Sequence, residues 1–227
     1  MSRIAPPLNR TALAVCLAAA LAGGGCAVIA YLTASIHGPE KIPAKFSLPD
    51  EGRTLVLVDA HGSREMVKRL LSRALNKELT SRGLVGKAVP YDDVVALRMA
   101  TPGYNRLKAS EIGQKLNAKT VIHVHVTRFA LKDEPQDVMW HGQIEARVKV
   151  VAVPLKRLWP RDRPAGSRVG PVGQDETVDL SPTYASKLTS VLCLQMADAV
   201  AKLFYEHEAE GVEKWGARPT GGPVEPQ

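Results

Sequence analysis

The sequence predicts one α/β domain: a mixed β-sheet with a long antiparallel hairpin and three helices packed on it, in the order β-α-β-α-β-β-α. Three observations predict it. The body opens on TLVLVD at 54–59, a nearly continuous run of β-branched and leucine residues of the kind buried on both faces of a sheet. Two stretches near the middle, 120–131 and 140–152, alternate apolar and polar residues with the period of a strand. The body closes on apolar residues recurring at helical spacing from Leu188 to Leu203.

After the first strand, Ser63 offers an N-cap, and Met66, Val67, Leu70, Leu71, Ala74, Leu75 and Leu79 recur at helical spacing until Gly83 stops the pattern. Arg64, Lys68, Arg69, Arg73 and Lys77 fill the rest of that helix as a solvated face. Residues 87–94 (KAVPYDDV) read as a weak strand interrupted by proline. Residues 110–117 (SEIGQKLN) make a short helix with Ile112 and Leu116 four apart on its inner side. In the hairpin, Ile122, Val124 and Val126 share one face, and Val121, His123, His125 and Thr127 the other. On its second strand Gly142, Ile144, Ala146, Val148 and Val150 share a face with Trp140, opposite His141, Gln143, Glu145, Arg147 and Lys149. The polar link at 132–137 (KDEPQD) is short enough to close the pair. Residues 161–173, rich in proline and glycine, read as a loop, and 176–180 as a further edge strand. Ser181 as N-cap and Pro182 at the first helical position open the last helix, whose stripe is Leu188, Val191, Leu192, Met196, Ala199, Val200 and Leu203. Cys193 sits on its flank as a small buried hydrophobe.

The buried first strand TLVLVD, the amphipathic helix, the phrase EIGQKLNAKTVIHVHV and the hairpin strand MWHGQIEARVKVVAV running on to Lys156-Arg157-Leu158-Trp159 resemble a small envelope domain. It is the one shared by the amino-terminal part of TolB and the CsgG-type curli-export lipoproteins. The resemblance covers residues 53–159, and the segment GPEKIPAKFSLP ahead of it is similar to that of uncharacterised planctomycete-type lipoproteins. It implies a role in envelope assembly or partner binding and carries no catalytic residue.

The amino terminus has the anatomy of an export signal. Residues 1–10 are cationic through Arg3 and Arg10, 11–22 are apolar, and Gly23-Gly24-Gly25 supply the small residues a peptidase needs. Cys26 follows directly, the position at which a bacterial lipobox cysteine is diacylated, although Gly23 stands where a lipobox usually has leucine. An uncleaved helix spanning 11–34 and plain secretion are the other two outcomes; the three glycines disfavour the helix, each costing about 1 kcal/mol relative to alanine. All three carry the body out of the cytoplasm. The domains expected are therefore a signal peptide at 1–25, the lipid-attachment cysteine and a proline-rich tether at 26–52, the α/β domain at 53–208 and a disordered tail at 209–227.

The net charge of +7 is scattered and falls to +5 without Arg3 and Arg10, weak support for a nucleic-acid partner; none is expected. With Cys16 and Cys26 in the leader, Cys193 has no intramolecular disulfide partner in the body. The one arrangement with metal-ligand character is His123, His125 and Glu145: two histidines one pleat apart, with Glu145 or Gln143 expected opposite His125, a set that could hold zinc with an open position. A polar sheet surface explains the same residues. Asp59-Ala60-His61-Gly62-Ser63 puts acid, base and hydroxyl at the carboxyl end of the first strand, where α/β folds place ligands, but Ser63 serves as a cap and Gly62 as a turn. No nucleophile elbow, Walker loop or dinucleotide fingerprint occurs, and no catalytic residue or cofactor is assigned. The function expected is a non-enzymatic, membrane-tethered envelope lipoprotein that binds envelope proteins or itself, through the 161–173 loop and the second hairpin strand. A zinc-dependent module and a binder of anionic glycan or lipid through the basic first helix are the alternatives.

Overall fold

The computed structural model describes residues 41–50, 52–60, 62, 64–131, 140–154, 156–176 and 182–209. The chain divides into two compact units, Pro43–His207, and Met1–Ile42 together with Glu208–Gln227. Two-residue strands occur at Lys41–Ile42 and His207–Glu208. Among the described residues no helix is long and apolar enough to cross a membrane.

The larger unit is mixed α/β, as the sequence predicts. Its elements are β1 (Arg53–Ala60), α1 (Glu65–Ser81), β2 (Lys87–Ala88), α2 (Tyr91–Ala100), a 3₁₀ turn (Tyr104–Arg106), α3 (Ala109–Lys115), β3 (Thr120–Ala130), β4 (Trp140–Ala152), β5 (Lys156–Trp159), β6 (Ser167–Glu176) and α4 (Pro182–Ala201). Six strands form one sheet in the order β2-β1-β3-β4-β5, with β6 also paired to β4. Strands β2 and β3 run parallel to β1 on either side of it, and β4 is antiparallel to β3. Buried on both sides by its neighbours and on both faces, β1 has Leu55, Val56, Leu57 and Val58 at most 6% exposed, which is why its sequence does not alternate.

One face of the sheet is fully covered. Val56, Val58, Ile122, Val124, Val126, Ile144, Ala146, Val148 and Val150 pack there against Val67, Leu71, Leu75 and Leu79 of α1 and Leu188, Leu192, Met196 and Val200 of α4. Burying leucine- and valine-sized side chains stabilises by about 1.5–3 kcal/mol each, so this layer dominates the fold. Met66 departs from the predicted stripe: it is 44% exposed, whereas Val67 beside it in the same turn is 3% exposed and packs into the core. On the opposite face Leu55, Leu57 and Val121 make a smaller cluster with Val89, Val94, Ile112 and Ala118, under α2 and α3 alone.

Four differences from the sequence reading have physical causes. Helix α2 replaces the later part of the predicted weak strand, so four α-helices occur among the described residues. Pro90 does not interrupt a strand but immediately precedes a helix, and Asp92 and Asp93 in its first turn favour the positive end of the helix dipole. Helix α1 begins after Arg64 without a side-chain cap; Ser63 lies outside the described residues. The 161–173 stretch is not one loop, because β6 starts at Ser167 and pairs with β4. Its Gly170-Pro171 pair stands opposite Glu145 alone in a register shift between Ile144 and Ala146, a bulge that takes a proline into an edge strand. Gly170 has φ +87°, and a Cβ there would meet Val172 N at 2.9 Å and Ile144 O at 3.0 Å. The fourth difference is at the end of the stretch read as tether. The backbone N–H groups of Lys45 and Phe46 donate to Leu203 O (2.8 and 3.1 Å), and Phe46 stacks on Trp159 with ring centroids 6.1 Å apart. The hairpin link at 132–137 and the 177–180 part of the predicted edge strand fall outside the described residues.

Candidate functional site

Helices α2 and α3 cover only part of their face. Beside them the outward side chains of β1, β3, β4 and β5 form the floor of an open cleft of about 800 Å³. Its lining comes from β1 (Leu57, Asp59, Ala60), β3 (His123, His125), β4 (Lys149, Val151) and β5 (Arg157), walled by Tyr104, Leu107 and Lys108 from the segment between α2 and α3. The strands position these side chains by parity. Residues that alternate with the buried row Ile122, Val124, Val126 must face the other way, so His123 and His125 point into the cleft.

At the floor, His123 Nε2 lies 2.5 Å from Asp59 Oδ2. Parallel pairing sets Leu57 beside His123 and Asp59 beside His125, so the acid reaches diagonally to the histidine one pleat back. That hydrogen bond holds the Asp59 carboxyl below its ordinary value against the opposing effect of burial, and the charges of His123, His125 and Lys68 add to it. An ionised carboxylate only accepts, so Nε2 carries the proton. Burial, reinforced by the Asp59 charge, pushes the Tyr104 phenol up to about 12.

The predicted metal set does not assemble as expected. The hairpin register places Arg147 opposite His125 and Lys149 opposite His123, while Glu145 lies opposite Arg128 beyond a bulge between Val126 and Arg128. The Glu145 carboxylate accepts from Arg168 at 2.9 Å. Alternation matches apolar faces in any register that slips by two, so it fixes which face Glu145 occupies but not its partner. Among the described residues no group of three His, Cys, Asp or Glu is arranged to hold a metal ion. Cys26, His61 and Ser63 lie outside the described residues. Cys193 is 1% exposed, and burial pushes its thiol up to about 12, the state of an inert packing residue.

Sequence reasoning missed the Asp59–His123 pair because it looked for the partner of Asp59 in the adjacent His61. The signal was present in the polar positions of two strands, TLVLVD and TVIHVHV, that become cross-strand neighbours once β1 and β3 are adjacent. Lys149 and Arg157 were visible only as part of a polar face and a strand end. The second hairpin strand, β4, is paired on both sides, so as a contact surface it would offer its outward side chains.

No known protein-family pattern and no curated protein matches the sequence. Solved structures that resemble it include lipoprotein GNA1162 from Neisseria meningitidis, 14% identical with a TM-score of 0.40, the match covering 66% of this chain and 99% of that one. The PelC dodecamer from Paraburkholderia phytofirmans is 13% identical with a TM-score of 0.40, over 73% of this chain and 96% of that one. TolB from Acinetobacter baumannii is 10% identical with a TM-score of 0.29, over 72% of this chain and 30% of that one. At these identities and TM-scores the likenesses assign neither a family nor a function.

Proposed function

We propose that this chain is a non-enzymatic lipoprotein of the bacterial cell envelope, exported and attached through Cys26 at the periplasmic face of the inner or outer membrane. It works by binding another envelope protein or a second copy of itself. The observation that supports this reading is the combination of an export-type amino terminus ending at Gly23-Gly24-Gly25-Cys26 with a folded domain that leaves a charged part of one sheet face open as a cleft. A sheet face that the chain's own helices do not cover is a surface available to a ligand or partner.

The mass of the amino-terminal peptide of the mature protein tests the anchor: a diacylated peptide beginning at Cys26 is expected, and an intact or unlipidated start overturns it. Crosslinking in intact cells tests the role. A defined envelope partner or homo-oligomer is expected, and recovery of the monomer alone overturns binding as the function.

A further inference from the structure

Charge is distributed unevenly across the cleft. From β1 to β5 the outward side chains run Asp59, His123, Lys149 and Arg157: His123 is paired with Lys149, and Val151, one pleat on from Lys149, is paired with Arg157. Lys149 and Arg157 both line the cleft, on either side of a register shift between Val150 and Val151, and their long, flexible stems let the Lys149 ammonium and the Arg157 guanidinium close on one group. Among the described residues Asp59 is the one acid lining the cleft, and His123 holds it at 2.5 Å. Lys149 and Arg157 form no ion pair with a carboxylate among the described residues. Lys108 adds a third cation from the facing wall. The stem of Lys149 is confined: a Cβ on Gly166 would come within 3.0 Å of Lys149 Cγ, so the absence of a side chain there leaves room for the lysine. Neighbouring like charges repel, and an anion between them reverses the sign of that interaction.

We infer that the cleft binds a small phosphate-bearing molecule, with the phosphate held between Arg157, Lys149 and Lys108 and the rest of the molecule lying on Leu57, Leu107, Ile112 and Val151. A tetrahedral phosphate presents three terminal oxygens in three directions to cations that arrive from three separate segments, and the guanidinium fork takes two of them; a carboxylate offers two oxygens in one plane and reaches fewer of the three at once. The Asp59–His123 pair keeps the single carboxylate of the cleft engaged, away from the anion. The phosphate belongs to a lipid headgroup or to a free phosphorylated small molecule. The inference rests on the envelope reading only for that choice of source.

Calorimetric titration of the full chain in nonionic detergent tests it, with inorganic phosphate, glycerol phosphate, soluble dihexanoyl phosphatidic acid and acetate as probes. Binding of the phosphate probes in preference to acetate is expected, weakened about tenfold or more in the K149Q/R157Q double variant and less than about twofold in an R69Q/K77Q double variant on the exposed side of α1. Phosphatidic acid binding more tightly than glycerol phosphate, with the same loss in K149Q/R157Q, identifies a lipid source; equal binding identifies a free molecule. No binding of any phosphate probe, acetate binding equally well, an unchanged K149Q/R157Q variant, or equal losses in both double variants each overturn the site. The R157Q single variant, at an exposed position on a short strand, guards against misfolding by retaining the wild-type unfolding midpoint while losing affinity. A monomer recovered from crosslinked cells would end the partner-binding role while leaving these titrations unaffected.

Discussion

The two faces of the sheet are built from the same strands and have opposite fates. On one, eleven strand residues, Val169 and Val172 of β6 among them, share a core with the apolar stripes of α1 and α4 and the layer is closed. On the other, Leu55, Leu57 and Val121 are covered by α2 and α3, and the polar residues that alternate with the core along β3 and β4 stay open. The closed face holds the fold, and the open face holds the chemistry. The difference arises from parity in β3 and β4, and from where the covering helices lie: α3 packs over Val121 and Val153 and leaves His123, His125 and Lys149 open to the cleft.

The largest effect expected from that contrast is at the closed face. Leu75→Ala, at a position with 0% exposure, should cost about 2–5 kcal/mol in urea unfolding, and a smaller loss would mean that α1 and α4 collapse around the gap. The small cluster on the other face yields a test of intermediate size. Gly113 lies in α3, where alanine would ordinarily gain about 1 kcal/mol, but a Cβ there would sit 2.5 Å from Val121 Cγ2 and 2.8 Å from Val153 Cγ2. Gly113→Ala should therefore destabilise by about 1–3 kcal/mol by overpacking. A stabilised variant would show that α3 lifts freely from the sheet.

A third test uses acid. Glu65, at the start of α1, accepts from Arg98 and Tyr91 of α2, and chiefly through the Arg98 bond its carboxyl is lowered from 4.5 to about 2. The unfolded chain takes up this proton at higher pH than the folded one, so the contribution is present above about 4.5 and is lost as pH falls towards about 2. Unfolding midpoints of wild type and Glu65→Gln should converge across that window, and a constant gap between them would assign the stability to packing. The smallest effect belongs to the cleft: Lys149→Gln should change stability by less than about 0.5 kcal/mol, since a partly exposed cation without a carboxylate partner contributes little to folding. A larger loss would turn Lys149 from a ligand residue into a structural one.

The same contrast explains what could be read from the chain. Residues with a periodic signature on the closed face, Ile122 to Val126, Ile144 to Val150 and the stripe from Leu188 to Leu203, were legible because burial forces the period. Helix α2 was not, because its hydrophobic face is weak and Tyr91 and Val94 are its only buried residues. Strand β6 was hidden by Gly170 and Pro171, which look like loop residues until the bulge opposite Glu145 gives them a place. The candidate site was legible only in part. His123 and His125 stood out as residue types, but Asp59, Lys149 and Arg157 joined them through pairings between strands that no local pattern specifies.

The bulge in β6 also shapes the border of the sheet. Among the described residues β6 pairs only with β4, so a strand of ten residues borders the sheet with its outer backbone groups unmatched by another strand. An unbroken edge of that length would be a template on which another strand could add, from a second copy or from another protein. Pro171 removes one donor and the Gly170 turn bends the line, so the edge offers no continuous template.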